Sequence, residues 1–179
     1  IENNFLVVAT VRKDEDAENL KKNFGESVKV LKLDLKNLNE IELIPKKLNA
    51  MGIHKLDGLV NNAGVALAAP FLNQEFSEIH DILQVNVISL IKVTHVLLPM
   101  LGANEKKENP GRIVNISSVA GQGGVPFLAA YVASKHAVEG FSKSLGNELA
   151  LFGIKVVVIG PGSIRTPIWE KGFSIVREK

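Results

Sequence analysis

The chain holds one tyrosine, Tyr131, and a lysine, Lys135, follows it in the stretch YVASK. At positions i and i+4 the two side chains share one face of a helix. A cation held beside a phenol favours the ionised form, so such a pair can give and take a proton at neutral pH. The spacing alone is weak, because any helix can set a packed tyrosine beside a solvated lysine. Ser118 strengthens it. That residue lies thirteen positions upstream of Tyr131, just before the glycine-rich stretch AGQGGVP (120–126), where backbone can approach a ligand closely. A hydroxyl there could hydrogen-bond a carbonyl oxygen; Ser117 and Ser118 could equally cap a turn.

Three further clusters accompany these residues. NNAG (61–64) has amides able to brace strand ends and small residues that admit a flat ligand, though it also reads as an ordinary turn. Asn86 interrupts an apolar helical stretch, and a buried amide needs partners. PGSIRT (161–166) sets a tight turn with the Thr166 hydroxyl just beyond it.

The elements that must position these residues alternate. Continuous or alternating apolar runs predict strands at 5–11, 28–35, 56–64, 111–118 and 154–162. Helical periodicity covers 14–24, 38–51, 75–102 and 128–153; Pro45 sits awkwardly in the second of these, Pro99 is expected to bend or end the third, and Gly153 closes the last. Strand and helix in alternation predict a single α/β domain over 1–179. It would be a doubly wound parallel sheet of the Rossmann type, three layers with helices on both faces. Ligands of such sheets bind at the carboxyl ends of the strands. Arg12, Asp34, NNAG, Ser117–Ser118 and PGSIRT all fall there.

Composition narrows the possibilities. A net charge of +2 without a basic cluster argues against nucleic acid. No cysteine occurs, which excludes disulfides and thiolate metal sites and suits a reducing, cytoplasmic setting. The four histidines are scattered, so no metal site is expected. The most apolar region, 82–101, contains Gln84, Asn86, Lys92, Thr94 and His95 and reads as a buried amphipathic helix rather than a membrane span. The first twelve residues lack the pattern of a signal peptide.

NNAG, Asn86, NISS (115–118), YVASK and PGSIRT, in this order and spacing, resemble the classical short-chain dehydrogenases/reductases, and the resemblance covers essentially the whole chain. It implies that Tyr131 is the general acid/base. Lys135 would hold the nicotinamide ribose and assist ionisation of the phenol, Ser118 would orient the substrate oxygen, and Asn86 would hold a water of a proton relay. Asn61, Ala63 and Gly64 would line the cofactor cleft, Asp34 and Leu35 would approach the adenine, and Pro161, Gly162, Ile164 and Thr166 would contact the nicotinamide end. The implied reaction is hydride transfer between a nicotinamide and a carbonyl or alcohol.

The strand end ATVRK (9–13) carries Arg12 and Lys13 where an acid would select NAD, which predicts NADP(H), with NAD the poorer fit. The family's TGxxxGxG turn, which cradles pyrophosphate, is not found in this sequence, nor is the family's usual continuation beyond PGSIRTPIWEKG. The expectation is therefore a chain incomplete at both ends, with a slot where a central strand would lie. A truncated, non-catalytic nucleotide-binding or scaffolding relative is the competing reading. Val125, Phe127 and Leu128, with Ile168, Trp169, Phe173 and Ile175, suggest a lipophilic substrate (steroid-, retinoid- or 3-oxoacyl-like). The resemblance also implies a homodimer or homotetramer through helices at 79–102 and 128–152.

Overall fold

The computed structural model describes residues 5–103, 109–164 and 168. The β-branched run VVATV forms β1 (Val7–Val11), which pairs in parallel with β2 (Val28–Lys32), Val7 opposite Val28 and Val11 opposite Lys32. Between them lies α1 (Asp14–Phe24). Three acids open it and two lysines close it, matching the helix dipole. An ion pair from Lys32 to Asp14 ties α1 to the face of β2 that carries Val28 and Val30. The opposite face turns Leu31 and Leu33 into a core with Ile41, Ile44, Leu48, Leu97 and Met100.

The apolar period over 38–51 predicts one helix, and the structure has two, α2 (Leu38–Glu42) and α3 (Ile44–Ala50). Asn37 caps the first by accepting from the amides of Asn39 and Glu40. Pro45 explains the break. It occupies the first turn of α3, where its missing N–H has no helical partner to lose.

A second parallel ladder runs in the order β3 (Gly58–Asn61), β4 (Arg112–Ile116), β5 (Lys155–Ile159). Between β3 and β4 the chain forms α4 (Phe76–Leu83), a π-helical segment (Gln84–Ser89) and α5 (Leu90–Leu101) as one continuous run. This run is 26 residues long and holds an 18-residue window of mean hydropathy 1.6, the length and composition to cross a membrane. Its Ile82, Leu90, Leu97, Met100 and Leu101 are buried inside the protein, which makes it a core helix here. Pro99 does not stop it; Gly102, at φ 103, does. The long α6 (Ala129–Leu149) follows β4 and leads through a short turn to Gly153, at φ 74.

Asn61 and Asn115 are register partners and so point to the same side of the sheet. The first bonds Thr94 of α5 and the second bonds Ser142 of α6, which puts both helices on that side. On the other side Val60, Val157 and Ile159 are 62%, 45% and 48% exposed. Among the described residues the two ladders do not join. Between β1 and β3 opens the slot that the sequence predicts, a cavity of about 1120 Å³ lined by Val7, Val8 and Thr10 on one wall and Leu59, Val60 and Asn61 on the other.

Candidate active site

The five strands among the described residues are parallel within their ladders, so each ladder delivers its strand ends to one edge. Arg12 follows β1, and Asp34 and Leu35 follow β2. Residues 61–64 end β3, Ser117 and Ser118 follow β4, and Gly160 to Gly162 follow β5. Two backbone bonds stitch the last pair of ends together: Ser117 N–H donates to Ile159 O at 2.7 Å and Val119 N–H to Pro161 O at 3.0 Å.

Asn86 is 1% exposed, and its side chain is fully engaged. Its Oδ1 accepts from Val65 N–H at 2.8 Å, while Nδ2 donates to Val65 O at 2.9 Å and to Ser134 Oγ at 3.0 Å. The Ser134 hydroxyl in turn donates to Tyr131 O at 2.7 Å. One amide therefore clamps the turn after β3 to the helix that carries Tyr131 and Lys135. It does so from the π-helical segment, where Ser89 Oγ also reaches back to Gln84 O at 2.7 Å. Such widened turns are common at functional sites. Ser134 carries no role in the sequence reading, although its i+3 spacing from Tyr131 was visible. Replacing it by alanine leaves one buried Asn86 N–H unpaired. Ser134→Ala is expected to cost about 1–3 kcal/mol, read by urea unfolding; a change below 0.5 kcal/mol, the scatter of neutral substitutions, would show the bond to be dispensable.

Lys135 is 5% exposed, its Nζ donating to Ile116 O at 2.8 Å and standing 5.7 Å from the centre of the Tyr131 ring. Burial pulls its pKa from 10.5 down to about 8. Gly64 lies against it: a Cβ at that position would sit 3.4 Å from Asn86 Oδ1 and 3.7 Å from Lys135 Nζ. The Tyr131 ring packs with Ala66, Ala68, Ala120 and Leu128, and Ile168 reaches the same cluster.

The two serines divide their work. Ser117 Oγ faces Lys135 O at 3.5 Å, beneath Gly121, where a Cβ would come within 2.7 Å of that hydroxyl. Ser118 Oγ accepts from Ala120 N–H at 3.2 Å, which leaves its own proton free to be donated. Asn61 Nδ2 is divided between Thr94 Oγ1 at 3.0 Å and Asn115 Oδ1 at 2.8 Å, so its side chain braces β3 and β4. Asp34 Oδ1 accepts from Lys36 N–H at 2.9 Å, and Leu35 packs on the core below. Arg12, Gly162 and Ile164 are exposed and Pro161 is half-buried; Thr166, Trp169, Phe173 and Ile175 lie outside the described residues. Among the described residues no cluster of three or more metal-ligating side chains occurs.

The family model for short chain dehydrogenases matches residues 1–174. The chain belongs to the short-chain dehydrogenases. A relative in this family, the NADPH-dependent 3-dehydrocapnine reductase of Ornithobacterium rhinotracheale, is 36% identical over 94% of this chain and 60% of its own length. Two solved structures superpose closely. One is a 3-ketoacyl-(acyl-carrier-protein) reductase from Brucella melitensis complexed with NADH, at a TM-score of 0.86 and 29% identity, covering 94% of this chain and 70% of that one. The other is ElxO with NADP bound, at a TM-score of 0.83 and 28% identity, covering 98% and 71%. The chain spans about 60% of the length of the curated relatives it matches. Membership in the short-chain dehydrogenases fits the Rossmann-like α/β frame, and sheets of this kind bind ligands at the carboxyl ends of their strands.

Proposed function

We propose that this short-chain dehydrogenase interconverts a carbonyl and a primary or secondary alcohol with NADP(H), Tyr131 serving as general acid and base. The observation that carries the reading is the Asn86–Ser134–Tyr131 clamp beside the buried Lys135 ammonium. It holds a phenol and a cation on one helix face against a glycine turn. The donor set suits a nicotinamide dinucleotide: Gly64 keeps Cβ-sized space clear beside Lys135 Nζ, and that ammonium is a ribose-hydroxyl donor. The nicotinamide, when bound, supplies or takes the hydride. Tyr131 gives its phenolic proton to the carbonyl oxygen during reduction and receives one during oxidation. Ser118 donates its free proton to the same oxygen and so orients the carbonyl. Asn86, its side chain engaged, acts through the water its backbone would hold. Ala63, Gly64, Pro161, Gly162, Ile164 and Thr166 would border the nicotinamide end, and Asp34 and Leu35 the adenine.

Arg12 supports NADP(H). It is exposed at the carboxyl end of β1, where a guanidinium can take a ribose 2′-phosphate in two parallel bonds. The NADPH-dependent relative and the NADP-bound structure agree with this, and the NADH-bound one makes the test worthwhile. Arg12→Ala is expected to raise the KM for NADPH about 10- to 100-fold, the worth of hydrogen bonds to a charged group. The KM for NADH should move less than about twofold. Equal changes for both would remove Arg12 from the cofactor site.

The same reading makes the substrate lipophilic, with Val125 at 41% and Ile164 at 56% exposure beside the site. It makes the protein a cytoplasmic homodimer or homotetramer joined through α4–α5 and α6. Steady-state assays of ketones and alcohols with NADPH and NADP, on the protein as expressed, test the reading. No turnover across short, long and cyclic compounds would sink it.

A further inference from the structure

The π-helical segment Gln84–Ser89 holds two buried polar side chains three positions apart, Asn86 at 1% and Ser89 at 0% exposure. They serve different strand ends. Asn86 bonds Val65, after β3, and Ser134 of α6. Ser89 Oγ lies 2.5 Å from Leu35 O, after β2, and 2.7 Å from Gln84 O in its own segment. The hydroxyl has one proton for these two carbonyls. Donated to Leu35 O, it ties the turn after β2 to the segment. Donated to Gln84 O, it closes the segment's own turn and releases Leu35. The segment thus has two discrete arrangements, and the position of Leu35 O selects between them.

The turn after β2 moves as a unit. Asn37 N–H donates to Asp34 O at 3.0 Å and Lys36 N–H to Asp34 Oδ1 at 2.9 Å, while Asp34 N–H donates to Glu40 Oε2 at 3.0 Å. Leu35 sits inside that turn, so a ligand settled on Asp34 also sets the Leu35 carbonyl. The turn meets the helical run a second time, in the ion pair of Lys36 with Asp81. Both of those side chains are about half exposed, and a pair so exposed to water contributes little. The buried Ser89 bond carries the connection.

We infer that Ser89 is a positioning residue, which couples the adenosine end of the dinucleotide site to the nicotinamide end. This rests on the NADP(H) reading above and adds a route between the two ends. A ligand on the turn after β2 holds Leu35 O against the Ser89 hydroxyl. The segment then keeps Asn86 where it clamps Val65 and Ser134, and with them the glycine turn and the helix of Tyr131 and Lys135. The adenosine half, remote from the reacting atoms, thereby contributes binding energy that orders the half beside them.

Fluorescence titration of reduced nicotinamide mononucleotide, with and without saturating adenosine 2′,5′-bisphosphate, reads this coupling without a substrate. In the wild type the bisphosphate is expected to tighten mononucleotide binding about 3- to 10-fold, the net worth of one hydrogen bond. The mononucleotide should tighten bisphosphate binding by the same factor. Ser89→Ala should bring both factors below about 1.5-fold, because no proton is left to tie Leu35 O. Ser89→Cys, a weaker donor of similar size, should fall between the two. Equal coupling in the wild type and both variants would make Ser89 a structural residue, whatever the urea midpoints, and overturn the inference. So would binding of both fragments to the wild type without coupling. Failure of either fragment to bind the wild type, even with the other present, would remove the dinucleotide site and the inference with it. Coupling without turnover of any ketone or alcohol would refute the proposed reaction and leave the inference standing.

Discussion

Replacing Tyr131 by phenylalanine is expected to lower kcat by about 10²- to 10⁴-fold, the usual worth of a positioned acid/base. Binding of NADPH, followed by its fluorescence, should change little. The ring makes its packing contacts with Ala66, Ala68, Ala120 and Leu128 through carbon, and phenylalanine keeps them. The clamp above it is also untouched, since Ser134 bonds the Tyr131 backbone carbonyl rather than the phenol. The melting temperature should therefore stay within a few degrees of the wild type, so a lost rate cannot be laid to unfolding. Turnover retained within a factor of about ten would remove Tyr131 from the chemistry and with it the proposed mechanism.

Lys135→Met is expected to lower turnover by about 10²-fold or more, comparable to removing one preorganised donor from an active site. It also carries a stability signature of definite sign. The folded-state pKa is about 8 against the ordinary 10.5, because burial disfavours the ammonium. Between those two values the unfolded chain holds the proton that the folded one has released. Stability contributed by this group is therefore fully present above pH 10.5, and it is lost as pH falls through 8. The stability of the wild type relative to Lys135→Met should rise from pH 7 to pH 10.5 by up to about 3 kcal/mol, read as paired urea unfolding curves at each pH. A difference that stays flat over that range would mean that the lysine is not buried as a cation at neutral pH. The same titration bears on the proposed function: the ammonium is half formed at about pH 8 and predominates only below it, so wild-type cofactor binding should weaken above it.

Much of this was legible in the chain itself. The strand and helix alternation, the strand-end clusters and the i, i+4 pair of Tyr131 and Lys135 depend on local period and order, which a sequence displays directly. The slot between β1 and β3 was legible too, because it follows from which strands the sequence contains. Element ends were less so. β2 stops at Lys32 rather than 35, and one helical period over 38–51 became two helices at Pro45, because caps and prolines cut regular patterns at single residues.

What the sequence determined by itself, then, was the family and the parallel α/β frame, together with the candidate residues on which the proposed chemistry rests: a phenol, a cation, a hydroxyl and a glycine turn. Only the tertiary structure decided how they are held. Asn86 reaches Val65 across 21 positions and Ser134 across 48, and Lys135 reaches Ile116 across 19. Side-chain hydrogen bonds at such separations have no period to betray them. Spacing to Tyr131 already singles out Ser118 over Ser117 in the chain, and the structure adds that Ser117 Oγ is turned to Lys135 O of α6. Phe127 reads in the chain as part of an apolar stretch, and only the structure shows its backbone in the left-handed region. That conformation is imposed by the bond from Ala69 N–H to Phe127 O and the packing of Leu128, contacts that exist only once the loops after β3 and β4 have come together.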